Sequence, residues 1–163
     1  MKICDTVNSK LYKNDRAILH SDCNCFYASV ECLLNPNIRD LPVAVSGDAE
    51  NRHGIILAKN EEAKKYNIKT GEAIWQAKKK CPQLLTVPAR LDVYKKFSDK
   101  VRRIYSDYTD MVEPFGLDEA WLDISEDYKN DAHTIAKEIS QRVKDEIGIT
   151  VSIGVSFNKI FAK

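Results

Sequence analysis

The chain has 163 residues, with 25 Lys and Arg against 24 Asp and Glu, for a formal net charge of +1. That length allows one domain with its own core plus a small insertion, and the near-neutral balance excludes a surface that is basic throughout, as free-standing nucleic-acid binders usually have. Five cysteines, Cys4, Cys23, Cys25, Cys32 and Cys81, form no ladder and no metal clip with the scattered His20, His53 and His133, so reduced, mostly buried thiols are expected.

Met1–Arg16 is polar, lacks the apolar core of a signal peptide and reads as a flexible leader. No apolar run approaches the ~20 residues of a membrane span, so a cytoplasmic protein with no membrane partner is expected. Ala17–Ser21 is a short apolar strand ending at Asp22. Phe26–Leu34 carries Phe26, Val30, Leu33 and Leu34 at helical spacing, and Asn35-Pro36 stops it. Pro42–Ser46 is a strand with Gly47-Asp48 as its turn, and Gly54–Ala58 is a second buried strand. Asn60 has the chemistry of an N-cap for a helix over Glu61–Tyr66. Glu72–Lys80 is another short helix, closed by Cys81-Pro82, and Leu84–Val87 is a strand.

Leu91–Tyr108 is the longest predicted helix, with Tyr94, Phe97, Val101, Ile104 and Tyr108 on one side. Lys95, Lys96, Lys100, Arg102 and Arg103 read as its solvated face. Met111–Phe115 and Ala120–Ile124 are strands around the turn Gly116-Leu117-Asp118-Glu119. Ala132–Ile147 is helical through Ile135, Ile139, Val143 and Ile147, Ile149–Val155 is a final strand, and Asn158–Lys163 begins a further element. The alternation gives an α+β fold. Its first strand and later half form a ferredoxin-like sheet with helices on one face, and a small α/β insertion follows the first helix.

The chemistry concentrates in two segments, Asp22–Glu31 and Gly116–Asp123. Each sets acids at the exit of an apolar strand, where folding has no need of them. Asp118 and Glu119 are neighbours that repel unless a cation sits between them, and neighbouring strand side chains point opposite ways, so a bend must bring both to one place. With Asp22 they would suit Mg²⁺, which takes oxygen ligands and leaves positions for phosphates and water. Two such ions imply phosphoryl or nucleotidyl transfer. Asp123 reads as a hydrogen-bond anchor and Glu31 as a helix-surface charge or an N-terminal charge partner.

These segments resemble a known family. Asp-x-Asn-x-Phe-Tyr-Ala-Ser-Val-Glu at Asp22–Glu31 is similar to the first metal motif of the Y-family translesion DNA polymerases, the DinB/UmuC (ImpB/MucB/SamB) group. Leu117-Asp118-Glu119-Ala120-Trp121-Leu122-Asp123 is similar to the second. Val155–Lys163, Ala58-Lys59-Asn60 with Ala63-Lys64, and Lys69-Thr70-Gly71 add further matches in order.

The resemblance implies a palm from residues 17–34 and 88–163 and fingers from 35–87, without the thumb and little-finger domains that hold most of the duplex. It implies Asp22, Asp118 and Glu119 as ligands of two Mg²⁺ ions, with the carbonyl of Cys23 completing one shell. Tyr27 would be the steric gate that excludes a ribose 2′-OH, and Phe26, Lys64 and Lys159 would lie at the incoming nucleotide, Phe26 itself reading better as core. Many members hold the triphosphate with a Tyr and an Arg on the first fingers helix. Here those positions are Glu61 and Lys64, and a lysine supplies charge without the bidentate fork.

The implied function is error-prone, metal-dependent extension of a primer with dNTPs past damaged template. The implied partners are primer-template DNA, dNTP and, through a part outside this chain, a sliding clamp. The fragment alone is expected to be inactive. A nucleotidyl-cyclase-like palm enzyme and a non-catalytic metal- or nucleotide-binding module are the rival readings. The cyclase reading leaves the Tyr27 segment without a role.

Overall fold

The structure is a computed structural model that describes residues 16–47, 54–127 and 131–163. Of the leader expected over Met1–Arg16, residues 1–15 lie outside the described residues, as do Asp48 of the expected Gly47-Asp48 turn, Cys4 and His53. The chain divides into two compact units, one of Lys95–Lys163 with the segment up to Asn24, the other of Cys25–Tyr94.

In the first unit β1 (Ile18–Cys23), β5 (Val112–Phe115), β6 (Glu119–Asp123) and β7 (Val151–Ser156) form one sheet in the order β5-β6-β1-β7. All three pairings are antiparallel. This is the ferredoxin-like order, with the long helices α4 (Leu91–Ser106) and α5 (Ala132–Ile147) as connections. Register puts Leu19, Ser21 and Cys23 on one face with Ala120, Leu122, Val151, Ile153 and Val155. The Ser21 and Tyr105 hydroxyls share a buried 2.7 Å hydrogen bond on that side, joining β1 to α4. Helix α5 buries Ile135, Ala136, Ile139 and Val143, a stripe at three-to-four spacing. It ends where Gly148 takes φ +87° and donates to the Lys144 carbonyl, a left-handed cap that a side chain would disfavour.

The second unit holds a sheet in the order β3-β2-β4, from β3 (Ile56–Lys59), β2 (Val43–Ser46) and β4 (Leu85–Pro88). Strand β2 pairs antiparallel with β3 and parallel with β4. Helices α2 (Glu61–Lys64) and α3 (Ile74–Lys80) contribute Ala63 and Ala77 to a core with Ala44, Ile56, Ile68, Cys81 and Leu84. Asn60 caps α2 as its chemistry suggests, accepting from Ala63 N at 3.0 Å and from Val43 N at 2.9 Å. The helix is shorter than the expected Glu61–Tyr66, and Asn67 turns the chain with φ +55°.

Helix α1 (Phe26–Leu34) packs on β2 and β3, so the compact division falls at Asn24 and Tyr94, whereas the motif resemblance divides the chain at residues 34 and 87. Of the two expectations for Glu31, the helix-surface one fails and a charge-partner role holds, with Arg90 as the partner. Glu31 is 4% exposed and accepts from Arg90 Nε at 3.0 Å, Arg90 Nη2 at 2.5 Å and the Tyr94 hydroxyl at 2.7 Å. A carboxylate at that depth needs such partners to offset lost hydration. No helix of the described residues is long and apolar enough to cross a membrane.

Candidate catalytic site

Strand β1 runs further than the expected Ala17–Ser21. It is paired on both edges as far as Asp22, which stands opposite Glu119 of β6 and Ser152 of β7. Asp22 is therefore a residue of the strand and not of a loop after it. Pairing also fixes its face. His20, Asp22, Glu119, Trp121, Ser152 and Gly154 share the face opposite to that of Ser21, whose hydroxyl meets Tyr105.

The bend required for Asp118 comes from the β5–β6 hairpin. Gly116 takes φ +71°, a left-handed conformation that glycine adopts without a Cβ penalty. Two bonds fasten the turn. Cys23 N–H donates to the Asp118 carbonyl at 2.9 Å, and Arg102 Nη2 donates to the Gly116 carbonyl at 2.6 Å. The end of β1 and the start of β6 thus bring together the carboxylates of two segments almost a hundred residues apart.

Their electrostatics is strained. Burial pushes Asp22 above the usual carboxylate range, and repulsion from Glu119 and Asp118 adds to it. Asp118 is raised for the same reasons, burial first and then Glu119. Glu119 differs. Burial would raise it, but hydrogen bonds from Lys163 and His20 outweigh that and leave it lowered. Its Oε2 lies 2.6 Å from Lys163 Nζ and 2.9 Å from His20 Nε2. His20 is itself buried against Trp121, with ring centroids 5.0 Å apart. Burial, chiefly, drives the Cys23 thiol up to about 12, and register puts that side chain on the face opposite Asp22 and Glu119.

Among the described residues no three His, Cys, Asp or Glu side chains converge on one point as they stand. The donor set nevertheless suits a hard divalent cation. It is all oxygen, it comes from adjacent strand ends, and burial with mutual repulsion keeps Asp22 and Asp118 raised in spite of the nearby Lys163.

Lys159, on the short helix α6 (Lys159–Ala162), is paired through Nζ with Glu113 and lies 5.6 Å from the Trp121 ring centroid. Phe26, Tyr27 and Lys64 belong to the second unit. There the Tyr27 ring stacks on Tyr94 at 4.3 Å and 13°. Phe26 is core at 3% exposure. Lys64 Nζ donates to Glu61 Oε1 at 2.7 Å, so the acid that would repel a triphosphate is neutralised by the lysine meant to attract one. The sequence reading missed His20, Arg102 and Lys163. His20 had a usable signal, since two residues before Asp22 on a strand means the same face. Arg102 had none, being one cation among several on a helix.

The sequence profile of the impB/mucB/samB family matches residues 21–163, a span that contains both carboxylate segments. The chain belongs to the impB/mucB/samB family. Among curated members, the DNA polymerase IV of Acetivibrio thermocellus is 60% identical over 150 residues, covering 91% of this chain and 38% of the relative. That of Bacteroides fragilis is 45% identical over 152 residues, covering 92% and 41%. This impB/mucB/samB chain therefore spans about 40% of the length of the curated relatives it matches. Among solved structures, DinB from Sulfolobus solfataricus superposes with a TM-score of 0.84 at 31% identity, over 90% of this chain and 43% of that one. An insertion ternary complex of Dbh DNA polymerase gives 0.84 at 30% identity, over 90% and 44%. The family's fold is thus the fold of this chain.

Proposed function

We propose that this chain is the catalytic palm-and-fingers portion of a translesion DNA polymerase, one that transfers dNMP from dNTP to a primer 3′-OH in the cytoplasm. The observation that carries the reading is the β1–β6 pairing that sets Asp22 opposite Glu119 while the Asp118 carbonyl binds the Cys23 amide. Nucleotidyl transfer needs negative groups gathered where phosphate charge must be countered, and an all-carboxylate cluster next to phosphates is tolerable only around divalent cations.

Asp22, Asp118, Glu119 and the Cys23 carbonyl would hold two Mg²⁺ ions. Bound there, Mg²⁺ would lower the pKa of the attacking hydroxyl and offset charge on the transferring phosphate. No side chain then has to act as a dedicated base. Tyr27 would lie against the incoming sugar and reject a 2′-OH by clash, which is selection by exclusion. Its stacking on Tyr94 supports that role, since a gate works only if its ring cannot swing away. Lys159 and Lys64 would meet the triphosphate by exchanging Glu113 and Glu61 for phosphate oxygens. Phe26 would contribute as the packed base of the α1 start.

The test is primer extension by the whole polymerase that contains this chain. Asp118→Ala with Glu119→Ala should abolish dNTP incorporation while leaving the unfolding midpoint near that of the parent. Extension that survives the double substitution would overturn the site assignment. Cyclic nucleotide product from GTP or ATP would instead favour a cyclase.

A further inference from the structure

The carboxylate end of the first sheet already contains a cation of its own. Lys163 Nζ donates to Glu119 Oε2 at 2.6 Å, and its field acts on Asp22 and Asp118 as well as on Glu119. The same ammonium lies 4.6 Å from the Phe115 ring centroid and 5.6 Å from that of Trp121, a geometry in which aromatic faces attract a cation. By register Phe115 and Trp121 share the sheet face of Glu119, so carboxylate and rings form one receptor for this lysine.

The backbone delivers Lys163 to that place. Helix α6 packs on β7 across Gly154, where a Cβ would come 1.9 Å from the Ala162 carbonyl oxygen. No residue but glycine leaves the room. At the other end of α6 the Trp121 indole N–H donates to the Lys159 carbonyl at 3.3 Å. Two contacts on the sheet thus fix the short helix whose last turn leads directly into Lys163.

We infer that Lys163 is the counter-ion of the metal-free site: it holds Glu119 in place of a divalent cation and is released from Glu119 when that cation binds. The inference rests on the metal-site reading above and adds an exchange of one cation for another. Glu119 Oε2 is committed to Lys163 and His20, so an incoming ion must compete for that oxygen. In return, the ammonium relieves the repulsion among three carboxylates whenever no ion is present.

The exchange can be followed in the 163-residue chain, whose two tryptophans are Trp75 and Trp121. Trp75→Phe leaves Trp121 as the reporter beneath Lys163. In that background, Mn²⁺ affinity is read from the free-ion electron paramagnetic resonance signal and the Mg²⁺ response from Trp121 emission, for Lys163 and for Lys163→Met. Loss of the competitor should tighten Mn²⁺ binding by about two- to fivefold, the range of an exposed ion pair. With Lys163 present, Trp121 emission should follow the Mg²⁺ isotherm, and with Met it should lose most of that response. Lys163→Gln, shorter and polar, should act in the same direction and guards against a folding defect in the methionine variant. Saturable Mn²⁺ binding that is unchanged or weaker in both variants would overturn the inference alone. Absence of saturable Mn²⁺ binding in the parent would overturn the metal-site reading and the inference with it.

Discussion

Glu31 shows how much a single side chain can conceal from its spacing. Its position on α1 is compatible with a surface charge, yet it is buried and bonded to Arg90 and Tyr94. The Tyr94 hydroxyl has burial and this bond pushing its pKa well up, so it remains a donor at any ordinary pH. Tyr94→Phe should cost about 1–2 kcal/mol, because a buried charged acceptor loses one partner while Arg90 remains. The check is a denaturant midpoint at unchanged slope; an unmoved midpoint would mean that the bond contributes nothing. Asp123 behaves as the anchor its place on the strand suggests. Burial alone would raise its pKa, but bonds from Ser125 and Arg16 prevail and hold it below the ordinary 3.8. A lowered folded pKa adds stability above the ordinary value, and that part is lost as pH falls from 3.8 through the folded value. Wild type should therefore lose more stability than Asp123→Asn over that acid window, as read by unfolding at a series of pH values. Parallel curves would show that the anchor is electrostatically idle.

At the level of elements, the decisive contact is α6 on β7. The strand reads as a plain run of β-formers with one glycine, and its sequence does not say why the glycine is there. Gly154→Ala would drive a methyl into the Ala162 carbonyl. Either α6 lifts or β7 bends, at a cost of roughly 1–3 kcal/mol. The expected outcome is a lower unfolding midpoint together with altered Trp121 emission in the Trp75→Phe background, as Lys163 leaves the ring. A lower midpoint with unchanged emission would place the strain elsewhere. The β5–β6 hairpin is the counterpart on the other side of β1. Its glycine was legible as a bend, but its clamp by Arg102 was not, because nothing distinguishes Arg102 from Arg103 until the helix has docked.

At the level of the whole molecule, charge sets the expectation. The chain has a net charge of +1, and Lys64, Lys65, Lys80, Lys159 and Lys163 are each paired with a glutamate. Basic and acidic residues nearly balance over the chain, so its net positive charge for displacing counter-ions from a duplex is small. The chain alone should bind primer-template no tighter than the nonspecific range of about 1–100 μM at physiological salt, with affinity falling as salt rises. Fluorescence anisotropy would measure this, and nanomolar binding would show that the grip on DNA resides in these residues. The sequence by itself determined the α+β class, the order of strands and helices, the Asn60 cap and the two carboxylate segments. Each of these depends on neighbours a few residues away, through periodicity, capping and turn chemistry. Only tertiary structure decided that Asp22 lies within a strand, that Glu31 is buried, and that His20 and Lys163 hold Glu119. Those depend on which residues stand opposite across a sheet, and register joins positions almost a hundred residues apart that no local pattern relates.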